Sequence, residues 1–222
     1  MTFDELYTAA YFARDGYGRD PLRQASYIQE RDRIYQRVRS GLVLDIGCGT
    51  GDFLATFDHR WRKYGIDISP YAVEQANLRG IDAMVDGIDR MTPGTFDLVV
   101  FRGSIQHIDE PFHMLRQGAA VLKPGGWMVF LATPNADSLV YKLWGDLPAL
   151  DPPRNFWIPS ARTLGNALQN FGLNVQSTEY PYWGGPYAHP ARDLWRFCAR
   201  LVGIKKPFAF PRNMMEVYAR KS

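Results

Sequence analysis

Three glycines within five positions, directly behind an apolar run, constrain this chain more than any other feature. The stretch reads LVLDIGCGTGDFL over residues 42–54. A short leucine- and valine-rich run bounded by glycine suits a buried parallel strand. The loop at the carboxyl end of such a strand, opening into a helix, is where open α/β sheets bind nucleotide-like ligands. Glycine there lets the backbone approach a ligand, and the helix start leaves N–H groups available. A dinucleotide fingerprint requires a third glycine where Asp52 stands, and a carboxylate at a helix start repels a pyrophosphate. A P-loop requires a Gly-Lys-Ser/Thr ending, which is absent. The expected ligand is therefore a nucleoside without phosphates.

Further strands are expected at 63–68, 96–101 and 127–132, with helices at 51–59, 70–79 and 110–122 between them. Ser69 and Pro70 form an N-cap and first helical position, Asp109 opens the next helix, and KPGG at 123–126 stops it. Strands alternating with helices imply an open α/β sheet with right-handed crossovers. A helix carrying five arginines (Arg23, Arg31, Arg33, Arg37 and Arg39) is expected at 21–39. After the sheet core come an irregular stretch at 133–159, a helix at 160–171, a strand at 173–180, an aromatic-rich insert at 180–211 and a last strand near 213–220. No internal repeat or low-complexity tract interrupts this order.

The 222 residues are 46% hydrophobic and 22% charged, as in an ordinary globular domain. The net charge of +3 does not argue for nucleic acid. Basic residues concentrate between Arg192 and Lys221, a bias compatible with an anionic substrate or a membrane surface and most simply read as a solvated face. Two cysteines make neither a disulfide framework nor a zinc site, and no His/Asp/Glu cluster has metal-ligand spacing. Without a signal-peptide pattern or an apolar run long enough to span a bilayer, a cytoplasmic protein with no integral membrane association is expected.

The series Asp45-x-Gly47-x-Gly49-x-Gly51, then Asp67, then Asp86 in AMVDGID, then FDLVVFRGSIQHIDEP and VLKPGGWMVFLATPN, resembles class I S-adenosylmethionine-dependent methyltransferases in order and spacing. The resemblance is strong over 41–135. It implies a Rossmann-like, open, mostly parallel seven-stranded sheet flanked by helices. An N-terminal helical lid over 1–40 would precede a cofactor-binding domain over 41–222, with substrate-pocket inserts at 133–159 and 180–211. By resemblance, the backbone around Gly47, Cys48 and Gly49 approaches the methionine part of S-adenosylmethionine, with Asp45 near its ammonium. Asp67, followed by Ile68, holds the ribose. Asp86 and Gly87 frame the adenine, and Phe101 and Arg102 line the methionyl side.

The tail resembles the ubiquinone-pathway O-methyltransferase-like branch and its polysaccharide and natural-product relatives, except that Arg154-Asn155 replaces the usual Glu-His pair. A base-methylating Asn/Asp-Pro-Pro-aromatic stretch is missing after the fourth strand, where RGSIQ stands. The Asp-Pro-Pro at 151–153 lies too late in the chain, so nucleic acid is not the expected substrate. A small-molecule acceptor, by hydroxyl and with a sugar or aromatic body, is expected. The alternative is a regulatory or non-catalytic protein that keeps the cofactor site.

His107 is the candidate base, against a pocket-lining role. His189 is a weaker candidate for the substrate pocket, His113 is expected to be structural and His59 exposed. Tyr7, Tyr11 and Tyr17 would face the cofactor from the lid, and Arg14, Arg31 or Arg33 would pair with its carboxylate. Eight aromatics (Trp144, Phe156, Trp157, Tyr180, Tyr182, Trp183, Tyr187 and Trp195) are candidates for a substrate wall.

Overall fold

The computed structural model describes residues 7–14, 20–147, 150 and 154–222. Seven strands form one sheet: β1 (Gly41–Ile46), β2 (Trp61–Asp67), β3 (Asp82–Val85), β4 (Phe96–Arg102), β5 (Leu122–Pro134), β6 (Leu173–Glu179) and β7 (Met214–Lys221). Their spatial order is β3-β2-β1-β4-β5-β7-β6. Pairing is parallel from β3 through β5 and antiparallel on both sides of β7. The helices are α1 (Ala9–Arg14), α2 (Pro21–Tyr35), α3 (Asp52–Ala55), α4 (Pro70–Leu78), α5 (Pro111–Val121), α6 (Leu139–Trp144), α7 (Ala161–Asn170) and α8 (Pro190–Leu201).

Strand alternation divides the core into two layers. Leu44, Val99, Phe101, Met128, Phe130 and Val217 belong to one cluster. Their strand neighbours Val43, Leu98, Val100, Val129, Leu131 and Tyr218 belong to the other. A side-chain period of two sends consecutive residues to opposite faces. Both faces are covered, so these strands are continuous apolar runs.

Several boundaries differ from the sequence expectation. The helix at 51–59 is only one turn, Asp52–Ala55, because the Thr56 hydroxyl and amide both return to the Phe53 carbonyl. The helix at 21–39 stops at Tyr35, and the amide of Gln36 closes its last turn. Glu110, not Asp109, occupies the N-cap position of α5, while Asp109 accepts from the Glu110 amide at 2.9 Å. The KPGG turn lies inside β5, which pairs with β4 at Leu122 before a bulge and resumes at Trp127. The two regions expected to be irregular carry α6 and α8, which pack Val140, Leu147 and Phe208 into a third small apolar cluster. The Asp-Pro-Pro at 151–153 and Tyr17 lie outside the described residues.

A cleft and a cavity of opposite charge at the sheet edge

The β1–α3 loop is shaped first by the chain's own packing. Gly47 has φ +79°, and a Cβ there would sit 2.5 Å from Ser104 Cβ. Gly51 has φ +80°, and a Cβ would meet Ile81 at 2.4 Å. Both positions therefore require glycine before any ligand is considered. The loop is held from below by Asp67 at the end of β2. One of its carboxylate oxygens accepts from the Gly49 amide at 2.8 Å, and the other accepts from the Ser69 amide at 2.9 Å.

Above this loop lies a cleft of about 460 Å³, within the range of small-ligand sites. Asp45, Gly47, Cys48, Gly49, Asp67, Ile68, Asp86, Arg102 and His107 all line it. Two expected residues do not. Phe101 is fully buried and stacked on Phe130 with ring centroids 5.0 Å apart, because the strand period turns it into the core. Gly87, at φ +103°, instead starts the 3-10 turn Ile88–Arg90 behind the cleft wall. Asp86 is itself left-handed at φ +52°, and its carboxylate accepts from the Gly87 amide at 2.7 Å.

The cleft is acidic. Carboxylates of Asp45, Asp52, Asp67, Asp86, Asp89, Asp109 and Glu110 line it, whereas Arg102 is its sole arginine or lysine among the described residues. Asp52 accepts from the Thr50 hydroxyl at 2.5 Å and lies 3.3 Å from Arg79. Asp45 is 1% exposed, and its Oδ1 has no hydrogen-bond partner among the described residues. Burial pushes its carboxyl up to about 8; Arg102 opposes that shift, while Asp67 and Glu30 reinforce it. Burial also raises Asp67, against the backbone amides of Ser69, Gly49 and Ile68, which favour its charged form. A buried acceptor without a donor is costly unless a ligand supplies one. The ligand that suits this cleft brings positive charge and hydrogen-bond donors and no phosphate. S-adenosylmethionine, with its ammonium, sulfonium and ribose hydroxyls, meets each condition.

The N-terminal segment closes one side. Tyr7, Tyr11 and Phe12 line the cleft, and the Ser69 hydroxyl donates to the Tyr7 carbonyl at 2.7 Å. The Arg154 guanidinium lies 5.1 Å from the Tyr11 ring centroid. The Arg154 carbonyl accepts from His107 Nδ1 at 2.9 Å. Arg154 thus ties the N-terminal segment to the turn after β4. Of the three arginines offered for the cofactor carboxylate, Arg31 and Arg33 are not in the cleft lining. Arg31 closes on Asp32 and the Thr56 carbonyl, Arg33 closes on Glu216, and the side chain of Arg14 lies outside the described residues.

Among the other histidines, His113 also lines the cleft, near Asp89 and Arg116. His59 and His189 are exposed, His189 as the N-cap residue of α8. Among the described residues no group of His, Cys, Asp and Glu could hold a metal ion, and no helix is long and apolar enough to cross a membrane.

A second cavity of about 660 Å³ adjoins the cleft, and Arg102 lines both. Arg102 is fixed there by Glu30, a residue the sequence reading missed. Nε donates to the Glu30 carboxylate at 2.7 Å and a terminal nitrogen donates at 3.2 Å, while the guanidinium lies 4.2 Å from the Tyr27 ring centroid. A helical i, i+4 spacing to Ser26, whose hydroxyl donates to Glu30 at 2.9 Å, is the only local signal for Glu30. Of the eight candidate wall aromatics, Tyr182 and Tyr187 line this cavity, joined by Phe208 and Phe210. Trp144 stacks edge-on against Phe197, Trp157 packs on the main core, and Tyr180 lies beside Arg212. Phe156, Trp183 and Trp195 are exposed, Trp183 at 73%.

A family model described as a methyltransferase domain matches residues 19–178, more than half of the chain. A ubiquinone biosynthesis O-methyltransferase from Albidiferax ferrireducens is 33% identical over 104 residues, covering 42% of this chain and 41% of that protein. A trans-aconitate 2-methyltransferase from Rhodococcus jostii is 28% identical over 58% of this chain and 55% of its own. The chain thus spans about half the length of the curated relatives it matches. Magnesium protoporphyrin IX methyltransferase from Synechocystis, solved with S-adenosylhomocysteine bound, aligns with a TM-score of 0.65 at 16% identity over 99% of this chain and 98% of its own. That alignment speaks to the fold, and the fold, the acidic glycine-loop cleft and the family match agree: the chain belongs to the class I S-adenosylmethionine-dependent methyltransferases, whose cofactor is S-adenosylmethionine.

Proposed function

We propose that this protein transfers a methyl group from S-adenosylmethionine to an oxygen of a small acceptor, which lies in the second cavity. The observation that carries this reading is the junction of the cleft and the cavity at Arg102. Two compartments meeting at one fixed side chain suit a two-substrate transfer, in which positioning supplies most of the acceleration. The relatives named as ubiquinone biosynthesis O-methyltransferases support an oxygen acceptor, and the relative named as a trans-aconitate 2-methyltransferase supports a small-molecule one.

When bound, the cofactor supplies an already activated methyl group. The protein's own residues bind, orient and exclude water. Asp45 and Asp67 hold the cofactor's polar ends, and the N-terminal segment with Tyr7 and Tyr11 shields it from solvent. A hydroxyl acceptor also needs its proton removed. His107 is the proposed base. Its Nδ1–H donates to the Arg154 carbonyl, which fixes the tautomer and makes Nε2 the basic nitrogen.

The test is transfer of labelled methyl from S-adenosylmethionine across a panel of hydroxyl and carboxylate acceptors. His107→Gln should lower kcat for a hydroxyl acceptor by about 10²–10⁴-fold and flatten the acidic limb of the pH–rate profile. A variant with unchanged kcat and pH profile overturns the base assignment. Tight cofactor binding with no transfer to any oxygen acceptor overturns the function.

A further inference from the structure

The second cavity is lined by six arginines, Arg23, Arg33, Arg102, Arg192, Arg196 and Arg212, against Asp20, Glu30 and Glu216. The ion pairs account for part of that charge. Arg102 closes on Glu30 and Arg33 on Glu216, so those four groups neutralise one another. Asp20 caps α2 by accepting from the Leu22 amide at 2.9 Å. On α8, Arg192 stands 3.4 Å from Asp193, whose other oxygen already takes the Tyr182 hydroxyl at 3.0 Å and the His189 amide at 2.9 Å. Arg196, one turn further, donates to the Pro207 carbonyl at 2.6 Å, and no carboxylate reaches it among the described residues. Arg212 lies over the Tyr180 ring, 4.5 Å from its centroid.

Two features of this arrangement point to a ligand. Like charges at i and i+4 on a helix face repel; the buried Asp193 offsets this at Arg192 alone, which leaves the Arg196 guanidinium on the same wall with no carboxylate among the described residues. The cavity is also mostly apolar elsewhere, with Tyr187 and Phe208 beside the arginines, and a low-dielectric wall strengthens the field of an unneutralised guanidinium. Guanidinium groups match carboxylate and phosphate oxygens by paired N–H donation.

We propose that the acceptor carries an oxyanion, a carboxylate or phosphate group, held by Arg192 and Arg196, with its ring or carbon body against Tyr187 and Phe208. This rests on reading the second cavity as the acceptor site. The oxyanion anchors the acceptor at the α8 wall, away from the Arg102 border, and Glu30 keeps Arg102 from competing for it. Cationic cofactor and anionic acceptor are thereby sorted into compartments of opposite sign.

The experiment uses the full chain saturated with S-adenosylhomocysteine and reads thermal unfolding and calorimetry with citrate, with pyrophosphate, and with sodium chloride at matched ionic strength. Citrate and pyrophosphate distinguish a carboxylate from a phosphate site. At least one should bind and raise the melting temperature, while sodium chloride should not. R192Q/R196Q should weaken that binding by about tenfold or more, the effect of losing charge-assisted hydrogen bonds. R192K/R196K, keeping charge without the planar fork, should recover part of it. K142Q, a surface change outside this cavity, should change nothing. Equal anion binding by the wild type and R192Q/R196Q, or no response beyond that to sodium chloride, overturns the proposal. Failure of S-adenosylhomocysteine to bind the wild type would instead overturn the cofactor reading, so the two failures are separable.

Discussion

The glycine-loop cleft and the arginine-lined cavity share one residue and one sheet edge, yet they are built in opposite ways. The cleft takes its carboxylates from the last residues of β1 and β2 and from the segments that follow β1, β3 and β4. The cavity gathers side chains from α2, from the ends of β5 and β7, and from both sides of α8, so its walls are far apart in the chain. One is acidic and made by short-range sequence; the other is basic and made by tertiary assembly. Strand ends fix the first kind of site, while helix packing fixes the second.

The border between them offers the largest perturbation. Glu30 is 3% exposed and engages Arg102 through both oxygens. Glu30→Gln should cost about 3–5 kcal/mol, because it leaves a largely buried guanidinium without its counter-charge. Denaturant unfolding measures it directly. A cost below about 1 kcal/mol, as for a surface pair, would show that Arg102 is not anchored from α2.

A second test bears on the acidic side. The Asp45 carboxyl is held up to about 8, above its unfolded value of roughly 4, so the folded state binds the proton more tightly. That contribution is fully present below about pH 4 and is lost as pH rises toward 8. Asp45→Asn does not titrate, so its melting temperature should gain on the wild type progressively from pH 5 to 8. The same variant should weaken cofactor binding, since the ammonium loses its carboxylate. At about pH 6, well below the Asp45 value, wild-type binding should release close to one proton, visible as a buffer-dependent heat. A heat independent of buffer would place the ammonium elsewhere.

The smallest effect is expected at Trp183. Its ring is exposed and outside the cavity lining, so Trp183→Ala should leave acceptor kcat/KM within about twofold, whereas buried contacts are worth far more. A tenfold loss would extend the acceptor site beyond the cavity wall.

Legibility in the sequence followed this same division. Asp45, Gly47, Gly49 and Asp67 could be read because a strand end, a tight turn and the next strand end stand at fixed spacings. Even there, the physical reason was incomplete, since Gly47 and Gly51 answer to Ser104 and Ile81 as well as to a ligand. Phe101 was misplaced because strand alternation points it into the core while its neighbour Arg102 faces the site. Glu30 could not be read, because its partner is 72 positions away and joins it only when α2 docks on the sheet edge. The aromatic insert looked like a substrate wall by composition. Its rings divide among the cavity, the α6–α8 cluster and solvent according to helix faces that require α6 and α8 to be recognised first. Arg192 and Arg196 read as a basic bias and became a pair on one wall only once α8 was in place.

The most direct test of the central claim, an acidic cofactor compartment beside a separate basic acceptor compartment, is titration of S-adenosylhomocysteine into three proteins: the wild type, Asp67→Ala and R192Q/R196Q. Each charge-assisted hydrogen bond to Asp67 is worth about 1.5–3 kcal/mol, so Asp67→Ala should weaken binding by at least roughly tenfold. R192Q/R196Q should leave the affinity unchanged. Equal affinity in Asp67→Ala, or a comparable loss in R192Q/R196Q, would contradict the division between the two compartments.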